Sequence, residues 1–298
     1  MRDLAGPLQS PVVWTTFDAP GGPLSYQRRG SGPLVVCLPG GPGMDPAAYF
    51  AGMDLPGFEL LVHAPRGTGE SAEPATRDGY LMSAYVADLE SLRRHLGEER
   101  LLLYGNSHGG MLALAYAAAH PDRVERFVMT NGPARMDDAF AAAAAETAAR
   151  FAEVAPDGQQ RLDAAAAAGE ALDRAADDAG RRQHFRTLMA RYVVTEGPAE
   201  AAYLDQLCAA PMNYAPADVM YEELLGGLDL LEDADRVTAP ALVIAGELDV
   251  TVPPTAMRAI AEALPDATYL ELPGVGHFVE VEAAEQFSAA VTAFLAPA

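Results

Sequence analysis

The sequence predicts an α/β protein: a largely parallel sheet with helices on both faces, interrupted by one helical insertion. Three observations carry this reading. Between residues 34 and 131 short, continuously apolar runs alternate with segments of helical spacing, the pattern of a parallel sheet buried on both faces. From about 136 to 232 clear strand signals vanish and alanine dominates. After Pro240 the strand–helix alternation returns.

In order, "VVWTTF" (12–17) and "LSYQRR" (24–29) read as strands, followed by the fully apolar "LVVCLP" (34–39) and "ELLVHA" (59–64). "LMSAYVADLESLRRHL" (81–96) places Leu81, Tyr85, Leu89, Leu92 and Leu96 on one helical face. "RLLLY" (100–104) is again a buried strand, and "SHGGMLALAYAAAHP" is a helix with Pro121 just past its end. "VERFVMTN" (124–131) closes this first block as a strand. The alanine-rich stretches that follow, such as "DDAFAAAAAETAARFAEV", predict helices, since alanine is the strongest helix former. "VAPDGQQ" and "TEGPAE" predict breaks between them. Strand 241–246, helix 255–264, strand 267–272 and helix 283–295 complete the chain. The division is thus core 1–135, helical cap 136–232 and core 233–298.

Composition bounds the function. Twenty basic residues against 42 acidic ones leave a net charge of −22, which argues against nucleic acid or an anionic membrane as partner. No apolar run approaches the roughly 20 residues that span a bilayer. The N-terminal stretch lacks an apolar signal-peptide core. The two cysteines, Cys37 and Cys208, indicate no disulfide framework and fit a reducing, cytoplasmic location. No Cys/His cluster has metal-ligand spacing.

The chemistry concentrates in "GNSHG" (105–109), where strand turns into helix. Such a turn raises a side chain above the sheet edge, and its neighbours must be tiny because backbone passes close by. Gly105 and Gly109 meet that demand, and Ser107 sits at a helix N-terminus that favours negative charge. A serine nucleophile needs a base, and the base an orienting acid. Asp249 follows strand 241–246 and His277 follows strand 267–272. Both therefore lie off carboxyl ends of strands, where ligands meet open α/β sheets. The order Ser107, Asp249, His277 matches the nucleophile-elbow arrangement. One oxyanion donor is expected from the N–H of His108. The other is expected from the loop "LPGGPGMD", where Pro42 has no N–H and Gly41 is the choice. His63, His95 and His120 read as structural, and Arg66 and Ser71 as braces for the turn beneath the site.

The set "PGGPG" (39–43), "PRGTGES" (65–71), "GNSHGG" (105–110), "GELD" (246–249) and "GVGHF" (274–278) resembles the α/β-hydrolase superfamily. Within it the set is most similar to the proline iminopeptidase-like serine peptidases. The resemblance implies an eight-stranded, mostly parallel sheet, a cap over the site, and no metal or organic cofactor. Three departures stand out: Pro39 where the family loop usually begins with histidine, His108 where a bulky aromatic often follows the nucleophile, and Val250 where some iminopeptidases carry an amine-binding glutamate. Glu222 and Glu223 in "VMYEELL" are the candidates to bind a substrate amine, with a solvated helix face as the competing and simpler reading. The expected activity is cleavage of an ester or amide of a small molecule or short peptide through an acyl-enzyme on Ser107. Iminopeptidase-type release of an N-terminal residue, acyl transfer or lactone formation by the same triad, and a non-catalytic binding role are the alternatives.

Overall fold

Val35, Val36, Cys37 and Leu38 have no solvent exposure at all, as a strand covered on both faces requires. The computed structural model describes residues 13–172 and 178–296, and in it this strand lies in the interior of an eight-stranded sheet. The first strands are β1 (Thr15–Phe17), β2 (Leu24–Gly30) and β3 (Leu34–Leu38). The short helix α1 (Pro46–Tyr49), started by the Asp45 side chain on the Ala48 N–H, leads to β4 (Glu59–Ala64). Then come α2 (Met82–Leu96), β5 (Leu101–Asn106), α3 (His108–Ala119) and β6 (Val124–Thr130).

Five helices follow among the described residues: α4 (Asp138–Val154), α5 (Gly158–Leu172), α6 (Asp178–Met189), α7 (Pro198–Ala209) and α8 (Ala215–Leu225). The chain re-enters the sheet with β7 (Ala241–Gly246) and continues through α9 (Pro254–Ala263), β8 (Ala267–Leu272), α10 (Val279–Glu282) and α11 (Ala284–Leu295). The spatial order is β1-β2-β4-β3-β5-β6-β7-β8. β2 runs antiparallel to β1 and β4, and every other pairing is parallel.

Side chains on these strands alternate between two cores, as the pleat requires. Val36, Leu38, Leu103 and Met129 point to the side of α2 and α3. Val35, Cys37, Tyr104 and Ile244 point to the opposite side, where Phe287 and Val291 of α11 close the layer. α3 is apolar almost all round and correspondingly buried from His108 to Leu114. Both cysteines are free and buried.

Two boundaries differ from the sequence reading by more than one residue. The first strand begins at Thr15, because only Thr15–Phe17 find partners on β2; Val13 is exposed and Val12 lies outside the described residues. β5 runs on to Asn106, because Gly105 and Asn106 still pair with Met129 and Thr130. The cap is anchored rather than loosely attached. Phe185, Met189, Leu204 and Leu207 join the α11-side core, while Val219 and Leu224 of α8 join the other. Among the described residues no helix is long and apolar enough to cross a membrane.

Candidate active site

Ser107 sits between β5 and α3 with φ +53° and ψ −120°. A non-glycine residue held there is strained by about 1–3 kcal/mol, and the surroundings hold it. The Ser107 N–H donates to Thr130 O at 2.8 Å, and Ser107 O accepts from Met111 N at 3.1 Å. A Cβ on Gly105 would lie 2.1 Å from Gly109 O, and one on Gly109 would lie 1.9 Å from Leu38 O. The two glycines are therefore required by backbone contact, as their spacing in the sequence suggested.

Asp249 is buried beyond the end of β7. Its Oδ1 accepts from the N–H groups of Thr251 (2.8 Å) and Val252 (3.1 Å). Its Oδ2 lies 2.7 Å from Nδ1 of His277. His277 is held from several directions. Its N–H donates to Tyr192 O at 2.7 Å, and its carbonyl accepts from Asn131 Nδ2 at 2.7 Å. The Tyr192 ring stands edge-on to the imidazole, 4.8 Å between centroids.

Ser107 and His277 open onto one cavity of about 430 Å3. Gly41 lines it at φ +54°, with a position for Cβ only 2.4 Å from the Met44 side chain. The N–H of His108, at the first position of α3, has no acceptor within its own helix. The His108 ring turns away into the core against Tyr85, and burial lowers its pKa to about 4. The structure thus brings Ser107, Asp249, His277, Gly41 and the start of α3 together.

It does not bring Glu222 and Glu223 there. Glu222 is exposed and paired with Arg77 at 2.9 Å. Glu223 accepts from the Met82 N–H at 2.9 Å, at the start of α2. On α8 it is Ala217, Met220, Tyr221 and Leu224 that face the cavity, which turns both glutamates away from it. Asp218, also on α8, does line it. His63 is buried at the end of β4 away from the cavity, and burial pushes its pKa down to about 4.

Several residues around the site were not picked out from the sequence. Asn106 donates to Thr130 Oγ1 at 2.7 Å and accepts from the Tyr49 hydroxyl. Asn131, at φ +47°, accepts from the Gly246 N–H at 3.0 Å and so ties β7 to the His277 loop. Glu282 accepts from the N–H groups of Gly276 (2.9 Å) and Val194 (2.6 Å), joining that loop to the cap. Asn106 stood inside the motif and Asn131 closed a strand; those positions were their only signals. Among the described residues no group of three or more His, Cys, Asp or Glu could hold a metal ion.

Comparison with known proteins identifies the fold family. The model of the alpha/beta hydrolase fold matches residues 33–284. The chain belongs to the alpha/beta hydrolase fold family. A putative carbamate hydrolase RutD from Caulobacter sp. (strain K31) is 32% identical over 241 residues, covering 80% of this chain and 81% of that protein. A proline iminopeptidase from Xylella fastidiosa is 29% identical over 283 residues, covering 85% and 87%. Among solved structures, an alpha/beta fold family hydrolase from Bacillus anthracis superposes with a TM-score of 0.73 at 20% identity, over 95% of this chain and 99% of that one. The proline iminopeptidase of Mycobacterium smegmatis superposes with a TM-score of 0.69 at 25% identity, over 95% and 97%. This alpha/beta hydrolase therefore has hydrolases as its relatives and shares with iminopeptidases the likeness its motifs carried.

Proposed function

We propose that this alpha/beta hydrolase cleaves an ester or amide bond of a small substrate through an acyl-enzyme on Ser107. The observation that carries the reading is one constellation. A strained serine at a strand–helix junction shares a cavity with a histidine whose other face is 2.7 Å from a buried carboxylate. Asp249 holds the proton on Nδ1 of His277, which leaves Nε2 as the base. Ser107 Oγ gives its proton to Nε2 and attacks the carbonyl carbon. The oxyanion is held by the N–H groups of Gly41 and His108, and α3 adds the positive end of its dipole. The imidazolium then protonates the leaving oxygen or nitrogen, and water, activated by the same histidine, releases the acid.

The iminopeptidase relatives favour a second reading, release of an N-terminal residue. That reading needs an acid to hold the substrate amine, and Asp218 is the candidate that lines the cavity. A panel of 4-nitrophenyl esters beside proline and alanine 4-nitroanilides separates the two. The first reading expects ester turnover that Ser107→Ala abolishes. Anilide turnover that collapses with Asp218→Asn would favour the second.

A further inference from the structure

We infer that the cavity accepts an ester or amide whose apolar chain ends in a carboxylate, and that Arg191 and Arg181 bind this carboxylate. The inference rests on the proposed role of Ser107. It starts from how this chain spends its cations. Every basic residue is an arginine, and 42 acids compete for 20 of them. The result is visible in the folded chain. Arg28 is on Glu59, Arg93 and Arg94 are on Glu90, Arg186 is on Glu196 and Asp205, and Arg66 is on Asp88. Arg161 and Arg182 are used on backbone carbonyls. Arg181 and Arg191 line the cavity instead, and among the described residues their contacts are with tyrosine rings, with no carboxylate or carbonyl partner.

Each of the two guanidinium groups lies by a tyrosine: Arg191 5.6 Å from the Tyr192 ring centroid and Arg181 5.8 Å from that of Tyr214. Stacking on an aromatic face leaves the in-plane N–H groups available for a planar, bidentate acceptor. Nε of Arg191 is buried without a hydrogen-bond partner, a state that costs free energy until an acceptor arrives. Arg191 is also close to the chemistry, since the next residue, Tyr192, packs on His277 and accepts its N–H. One acid, Asp218, lines the same cavity and is exposed, so the lining carries two positive charges and one negative. The rest of the lining is largely apolar and includes Met136, Phe140, Phe185, Leu188 and Met220. A monoanionic carboxylate at the end of an apolar chain suits that lining better than a phosphate, whose second charge is costlier to desolvate.

The test uses the mono-4-nitrophenyl esters of glutaric to sebacic acid, each beside its methyl diester, in which the terminal charge is blocked. For at least one chain length the wild type should favour the free acid over the diester in kcat/KM by about tenfold or more. Arg191→Met should lower that preference by on the order of tenfold to a hundredfold, the range of a hydrogen bond to a charged group. Arg181→Met, at an exposed position, should lower it as well and remains informative if Arg191→Met fails to fold. Arg182→Met removes an equal charge from the same helix outside the cavity lining and should leave the preference intact. Absence of any acid preference in the wild type, or its survival in both cavity variants, overturns the inference. Fluorophosphonate labelling separates the two levels. Wild type that is labelled at Ser107 and hydrolyses diesters without acid preference loses only the carboxylate site. Wild type that hydrolyses esters without Ser107 reacting loses the underlying reading too.

Discussion

The floor and the roof of the cavity are built by different rules. The floor is made at the carboxyl edge of the sheet. There backbone contacts leave no room for a Cβ at Gly105 or Gly109, and His277 is held by a carboxylate 2.7 Å from its ring and by a backbone carbonyl 2.7 Å from its main-chain nitrogen. Its ionisable groups include the buried Asp249, His277 and Glu280 and, beside the cap, the half-buried Glu282. The roof is made of side chains from the inserted helices and their connections, and its charged groups are Arg181, Arg191 and Asp218. Where geometry is carried by backbone, one substitution should be decisive. Where it is carried by long side chains over a cavity, substitutions should shift preferences by modest factors.

The largest effect expected in the floor is Asp249→Asn. It keeps the shape but donates to His277 where the carboxylate accepts, which favours the wrong tautomer, so kcat should fall by about 10^4-fold with the melting temperature nearly kept. Steady-state kinetics beside a thermal melt checks this, and a fall below tenfold would remove Asp249 from the mechanism. Next comes Gly109→Ala, whose Cβ would lie 1.9 Å from Leu38 O. Because both partners are backbone, a loss of roughly 4 kcal/mol or more is expected in denaturant unfolding.

Glu280 gives a smaller effect with a pH signature. Burial raises its pKa from 4.5 to about 7. A raised carboxyl pKa means that folding penalises the charged form. The penalty is absent below the unfolded value near 4.5, grows as pH rises, and is complete above about 7. Glu280→Gln should therefore stabilise the protein at pH 8 by about 3 kcal/mol relative to its effect at pH 4. Unfolding at the two pH values decides it, and equal effects would show that the carboxyl is not held in a costly charged state.

The roof should respond more weakly. Phe140→Ala is expected to change the ratio of kcat/KM between short- and long-chain esters by about tenfold, the scale of one or two methylenes in an apolar pocket. It should leave fluorophosphonate reactivity in place, and loss of that reactivity would show that roof and floor are not separable. Smallest of all is Glu222→Gln. The residue is exposed and faces away from the cavity on Arg77, so ester and anilide kinetics should both stay within about twofold, consistent with surface ion pairs contributing at most ~1 kcal/mol.

The same division explains what could be read in the sequence. Ser107, Asp249 and His277 follow strands, and a strand ending in a glycine-rich turn is a local pattern. The sheet then assembles the three by parallel pairing that the apolar runs already imply. Gly41 is legible for the same reason, since a run of glycines before a helix is local too. Tyr49 on Asn106, Asn131 on the His277 carbonyl, and Glu282 between Gly276 and Val194 join residues up to 146 positions apart, and no local pattern encodes such contacts. The cap's helices are legible from alanine, but alanine is nearly symmetric round a helix and does not say which face turns inward. Hence Glu222 and Glu223 were picked from α8, whereas the cavity-facing residues are one to six positions away, at Ala217, Asp218, Met220, Tyr221 and Leu224.

The central claim, that the strained serine is the nucleophile set by a fixed floor, is tested most directly by the mass of the protein after reaction with a fluorophosphonate. One adduct should form, on the peptide that contains Ser107, and both the adduct and ester turnover should vanish together in a folded Ser107→Ala variant. An adduct on any other residue, or turnover in that variant above roughly a thousandth of wild type, would contradict the account.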